Sequence, residues 1–155
     1  MLNMMLKWRK KNSKGFSLVE LIIVIAIMAI LVGILAPQFV KYVNQSREST
    51  DIKNLQEVMS AVSVYWSDPA TTDVKASQDL GIFKLSKTAD AKNATLIVTT
   101  AMSAAGLQPD KIVAKSSTYA EKTLTAKTDT NGNVVFTIDD ATLAGKLNIG
   151  TTQPG

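Results

Sequence analysis

The chain has 155 residues, with 17 lysines and arginines against 13 aspartates and glutamates, a formal charge of +4. It contains no histidine and no cysteine, which excludes disulfides, thiol nucleophiles, the commonest acid–base side chain and most zinc sites. A basic balance ordinarily points to nucleic acid or an acidic surface. Here the excess is local, because Lys7, Arg9, Lys10, Lys11 and Lys14 all precede the first acidic residue, Glu20.

The basic stretch runs into an apolar one. From Leu21 to Ala36 no side chain is charged or hydrogen-bonding, and Phe16, Leu18, Val19, Phe39 and Val40 extend the run. Roughly 20–25 such residues suffice to cross a bilayer as a helix. The positive flank predicts a cytoplasmic N-terminus, with the chain beyond about residue 40 on the outer side. A secretory signal would have a shorter core of about 7–15 residues and an Ala-x-Ala-like site. Cleavage after Ala36 would instead place Ile34 at the third position before the cut and Pro37 just after it. An ordinary single-span anchor accounts for the run and its flank but leaves Gly15-Phe16-Ser17-Leu18-Val19-Glu20 unexplained. Glu20 lies four residues after Phe16, on the same helix face. It stands near the membrane edge, where a carboxylate costs less than the roughly 2.5–3.5 kcal/mol it costs at the bilayer centre.

Gly15-Phe16-Ser17-Leu18-Val19-Glu20, followed by the apolar helix and Pro37, closely resembles the N-terminus of type IV pilins and their pseudopilin relatives. The resemblance covers about residues 10–45. It implies that a membrane aspartyl peptidase cuts between Gly15 and Phe16 on the cytoplasmic side and then methylates the new amine of Phe16. Glu20 then falls at the family's assembly glutamate, proposed to pair with the N-terminal amine of a neighbouring subunit. Pro37 falls where the family usually has a helix-kinking proline. The implied partners are further copies of the chain in a helical filament, the prepilin peptidase, and an assembly platform with its cytoplasmic motor. The implied location is the inner membrane for the precursor and the cell surface for the filament.

The chemistry fits these residue types. Glycine before the cut leaves the backbone uncrowded. A new cation at Phe16 beside Glu20, next to a low-dielectric medium, attracts far more strongly than in water. Neutralising both charges as a subunit leaves the lipid would make Glu20 a register device. Loss of residues 1–15 removes five positive charges and leaves twelve basic against thirteen acidic side chains. The basic excess is then topological information, discarded on processing.

Past Pro37 the helical pattern continues. Ile52, Leu55, Met59, Val62 and Trp66 recur at spacings of three and four, flanked by Val58 and Tyr65. One helix is predicted from about Ser17 to Ser67, ended by Asp68-Pro69. At 1.5 Å per residue its length is roughly 75 Å. Its first half is apolar all round and its second half amphipathic, with a stripe that packs on a C-terminal head. Asn44 to Asp51 between them is wholly polar. Gly33 and Pro37 weaken the helix, since Pro37 cannot donate to the Gly33 carbonyl. This segment is expected to bend or melt in a filament, or to hold a static kink.

The domain expectation is a leader at 1–15, a membrane or filament-core helix at 16–40, an amphipathic half-helix at 41–67 and a head at 68–155. In the head, Ala89 to Ala105 reads as a short helix, although Leu96 to Thr100 equally suits a strand. Strand candidates are Lys111–Lys115, Lys122–Thr128, Val134–Ile138 and Lys146–Ile149. Thr130-Asn131-Gly132-Asn133 suits a hairpin turn, with Val134, Phe136 and Ile138 alternating toward one face. The expected fold is α+β, a long helix packed against a small antiparallel sheet.

Asp129, Asn131, Asn133 and Asp140 are possible oxygen ligands for calcium, but the glycine is misplaced for an EF-hand loop and hairpin chemistry accounts for them. No metal or cofactor is expected. Asn93-Ala94-Thr95 matches a glycosylation acceptor pattern. Lys84, Lys87, Lys92, Lys111, Lys115, Lys122 and Lys127 could contact nucleic acid phosphate, yet such scatter is the ordinary pattern of a solvated surface. The missing cysteines depart from the C-terminal disulfide of many Gram-negative pilins and suggest a Gram-positive or clostridial pilin, or a pseudopilin. The reading is thus a pilin precursor, polymerised into a filament for adhesion, motility or DNA uptake. The alternatives are a pseudopilin of a type II secretion or competence machine and a membrane-anchored enzyme.

Overall fold

The computed structural model describes residues 15–69, 78–89 and 93–152. The leader lysines and arginine, and Lys92, lie outside them. The chain divides into two compact units, Met1–Lys41 and Tyr42–Gly155. Helix α1, Leu18–Ser67, contributes to both, with bounds within one residue of those expected from the sequence.

In the first unit every described residue from Gly15 to Lys41 is exposed. Apolar side chains face outward all round α1 from Leu18 to Val40. A helix apolar on every side belongs in an apolar surrounding. α1 is the one helix among the described residues long and apolar enough to cross a membrane. Pro37 sits inside it and the helix is continuous through Gly33 and Pro37. Any melting of that segment is therefore a question about a filament.

In the second unit the solvent of α1 changes from outside the chain to inside it. Leu55, Val58, Val62 and Trp66 are buried, and Ile52, Met59 and Tyr65 are half-buried at the rim. The amphipathic stripe thus packs on the head as expected. Its centre is rotated slightly, with Val58 rather than Met59 at full depth. The sheet comprises β1 (Asp79–Leu85), β2 (Lys122–Thr128), β3 (Val134–Ile138) and β4 (Gly150–Thr151), in the order β1-β2-β3-β4. β2 and β3 pair antiparallel, as the hairpin pattern required, and β1 pairs antiparallel with β2, but the two-residue β4 joins β3 in parallel, so the sheet is mixed rather than wholly antiparallel. Leu80, Phe83, Leu85, Leu124, Ala126, Phe136 and Ile138 turn one face of the sheet toward the core. Val98, Ala101 and Met102 of α2 (Leu96–Ala104) and Leu143, Ala144 and Leu147 of α3 (Ala141–Leu147) complete that core.

One open alternative is resolved and three local expectations change. The stretch at Leu96–Thr100 is helix rather than strand, within α2. β1 was not expected, and a bulge explains why. Its register shifts between Asp79 and Gly81, so the buried Leu80 and Phe83 stand three apart and hide the period of two. Gly81 has φ 111°, and a Cβ there would overlap the Thr95 hydroxyl, while Thr95 N donates to Ile82 O at 3.0 Å. The proposed strand at Lys111–Lys115 is instead the end of a 3₁₀ turn, Pro109–Lys111, followed by irregular chain. The proposed strand at Lys146–Ile149 is the end of α3. Asp140 caps that helix by accepting from Leu143 N at 2.9 Å, and Asn148 closes it in the left-handed conformation at φ 55°.

Candidate functional site

The residues that carry the motif lie where helix begins. Gly15, Phe16 and Ser17 are outside α1, which starts at Leu18. Phe16 is 89% exposed, and among the described residues no atom lies within 4 Å of where a Gly15 Cβ would stand. The Ser17 carbonyl accepts the first helical bond, from Leu21 N at 3.2 Å. Its hydroxyl oxygen accepts from Val19 N at 3.3 Å, and its own N–H donates to Glu20 Oε2 at 2.9 Å. The pair is a variant of the capping box, with Ser at the cap position and Glu three residues on, in which the serine oxygen accepts from the second helical residue rather than the third. Glu20 also lies in the first turn of α1, where the partial positive charge of the helix terminus favours a carboxylate.

The structure therefore bonds Ser17 to Glu20 at the start of α1, with Gly15 and Phe16 in the non-helical chain just before it. Gly33 and Pro37 lie about four to five turns further along α1, apart from this cluster. Ser17 was missed as a contributor, although Ser17-Leu18-Val19-Glu20 ahead of an apolar run is a legible capping signature.

A second polar cluster holds the head to its half of α1. Asp51 is fully buried. Its Oδ1 accepts from Lys115 N at 2.7 Å, and its Oδ2 accepts from Ser116 N at 2.8 Å and from the Ser116 hydroxyl at 2.6 Å. A carboxylate thus does for residues 115–116 what a strand partner would have done. One turn earlier Glu48 accepts from the Thr118 hydroxyl at 2.9 Å and pairs with Lys146 at 3.6 Å. Lys146 also donates to the hydroxyl of the buried Tyr119 at 2.6 Å. That bond, with help from Glu48, raises the Lys146 pKa above its ordinary value.

The remaining candidates are otherwise engaged. Asp129 Oδ1 accepts from Asn131 N and Asn133 N at 2.8 Å, and its Oδ2 accepts from the Asn133 amide at 3.1 Å. These bonds, led by the Asn133 backbone, hold the Asp129 carboxyl below its usual range and build the hairpin turn. Asp140 caps α3 and pairs with Lys122 at 3.1 Å. Among the described residues no group of three or more metal-ligating side chains is placed to hold an ion. Asn93 of the acceptor tripeptide is buried, its amide 3.5 Å from Thr88 O. Lys84 is paired with Glu121 at 2.6 Å.

Residues 10–36 match the model of the prokaryotic N-terminal methylation motif. This is the segment that carries the cap. Three curated proteins are similar to part of the chain. The chain is 38% identical over 57 residues to the type IV major pilin protein PilA of Myxococcus xanthus, covering 37% of this chain and 26% of that one. It is 44% identical over 59 residues to the fimbrial protein EcpC of Eikenella corrodens, covering 38% and 39%. It is 30% identical over 86 residues to the prepilin peptidase-dependent protein A of Clostridium perfringens, covering 52% and 61%. The matched region thus spans between about a quarter and three-fifths of the length of these relatives. No solved structure matches the chain significantly.

Proposed function

We propose that this chain is the precursor of a type IV pilin, a structural subunit rather than an enzyme, which a prepilin peptidase cuts between Gly15 and Phe16 and methylates at Phe16. The observation that carries the reading is the contrast within α1. An apolar, wholly exposed half begins at a methylation motif and leads into a half with its own packed head. Membrane insertion, with the head on the outer side, satisfies the exposed half in the precursor. Packing against the same helix of further copies satisfies it in a filament. Glu20 is the assembly residue, since the amine freed at Phe16 lies within a helical turn of its carboxylate and a neighbouring subunit brings another such amine. An assembly platform and a cytoplasmic motor would drive extrusion, and the filament would serve adhesion, motility or DNA uptake. The similarity to a major pilin, a fimbrial protein and a prepilin peptidase-dependent protein supports the pilin over the pseudopilin.

The test is a pair of variants in the source cells. Gly15→Val should leave an uncleaved precursor in the membrane, and Glu20→Ala should be inserted and cleaved but not assembled. Surface filaments of normal abundance from either variant would overturn the role assigned to that residue.

A further inference from the structure

The helix start at Leu18 has a consequence for the peptide bond two residues upstream. A helix that is already nucleated extends at its ends without the nucleation cost, so α1 would run back through Phe16 unless something stopped it. Ser17 stops it. Its carbonyl takes the first helical bond, its hydroxyl takes the Val19 N–H and its N–H is held by Glu20, leaving Gly15, Phe16 and Ser17 itself as non-helical chain. An N-cap residue is bound to non-helical backbone angles by this geometry. The match to a methylation motif over residues 10–36 independently marks this same place as one on which an enzyme acts.

We propose that Ser17 is a positioning residue for leader removal: by capping α1 it keeps the Gly15–Phe16 bond out of the helix and presentable to the peptidase. This rests on the reading that cleavage falls there. In the step itself water adds to the Gly15 carbonyl carbon, the C–N bond breaks, and the departing nitrogen takes a proton to become the Phe16 amine. Were α1 to run back through them, the Gly15 and Phe16 carbonyls would be committed to the Val19 and Glu20 N–H groups. Non-helical chain at Gly15–Phe16 leaves those carbonyls for an enzyme to align. The box also gives the Glu20 carboxylate a partner within its own chain until the new amine exists, and the residue it holds, Ser17, is the immediate neighbour of that amine.

The experiment measures the initial rate of leader removal from the full chain in detergent by purified prepilin peptidase, followed by mass. Ser17→Ala removes the capping oxygen and installs the best helix former. It should be cleaved about fivefold more slowly, the population change that follows loss of a typical cap. Ser17→Thr and Ser17→Asn restore a capping oxygen and should recover most of the wild-type rate. Glu20→Gln keeps the box, since glutamine serves at this position, and should be cleaved like wild type even where it fails to assemble. Amide exchange at Glu20 gives the structural readout, since a helix that ran back would bond its N–H to the Phe16 carbonyl, with added protection expected only in Ser17→Ala. Equal rates for wild type and Ser17→Ala would overturn the proposal. So would Ser17→Asn and Ser17→Thr as slow as Ser17→Ala, because the peptidase would then be reading the serine itself. A wild-type chain left uncleaved at Gly15–Phe16 would overturn the pilin-precursor reading and this inference with it.

Discussion

The two halves of α1 share one backbone and differ in what surrounds them. From Leu18 to Val40 the isoleucines, leucines and valines point in every direction and none is buried. From Asp51 to Trp66 the buried residues fall on one face, where a sheet and two short helices cover them. Burying a large aliphatic side chain is worth about 1.5–3 kcal/mol. The second half realises that gain within the chain, whereas the first realises it only in lipid or against other copies. An all-round apolar helix that continues into a head with its own core is what the proposed reading, a subunit that polymerises by one end, requires.

That contrast can be broken by mutation. Leu55→Ala, in the centre of the core, should lower the stability of the head by about 3 kcal/mol. Ile30→Ala, in the exposed half, should leave the head's denaturation midpoint in detergent unchanged. A lower midpoint for Ile30→Ala would erase the division between the halves. Asp51→Ala strands two backbone N–H groups and a hydroxyl, and should cost about 2–3 kcal/mol, read by urea denaturation. Ser116→Ala at the same joint removes one bond and should cost less. Asp140→Ala should cost about 1 kcal/mol, the worth of a typical N-cap, seen as a small drop in melting temperature.

The smallest effect is the pH dependence. The Leu143 N–H, and then Lys122, hold the Asp140 carboxyl below its ordinary 3.8. Its contribution is therefore present above that value and fades as pH falls through the lower folded value. Lys146, raised above 10.5 by the Tyr119 hydroxyl and Glu48, contributes below its ordinary value and loses that contribution as pH rises through the higher one. Melting temperature followed from about pH 2 to 11 should show a plateau as far as these two groups contribute, falling at both ends. A decline near neutral pH that Asp140→Ala or Lys146→Met removed would contradict this assignment.

Much of this was legible in residue order. Periodicity placed α1 to within a residue, and Asn131-Gly132 with its flanking alternation gave β2 and β3 at their observed bounds. The rest failed for local reasons. The bulge at Gly81 put Leu80 and Phe83 out of phase, so a strand read as linker. α3 is seven residues long and contains Gly145, too weak a pattern to compete with a strand, although Asp140 and Asn148 marked both its ends. Asp51 looked like one more residue of a polar stretch, because its backbone partners at 115–116 are 64 and 65 residues away. At the candidate site, Gly15, Phe16 and Glu20 stood out by order alone. Ser17 was legible only as a helix cap, through two local hydrogen bonds of 2.9 and 3.3 Å that a cleavage motif does not call for.

The most direct test of the central claim is the mass of the chain's N-terminus in filaments sheared from the source cells. The account predicts a chain that begins at Phe16 with one methyl group on its amine, abundant in the sheared fraction. An intact leader on the surface chain, or a processed chain confined to the envelope, would contradict it.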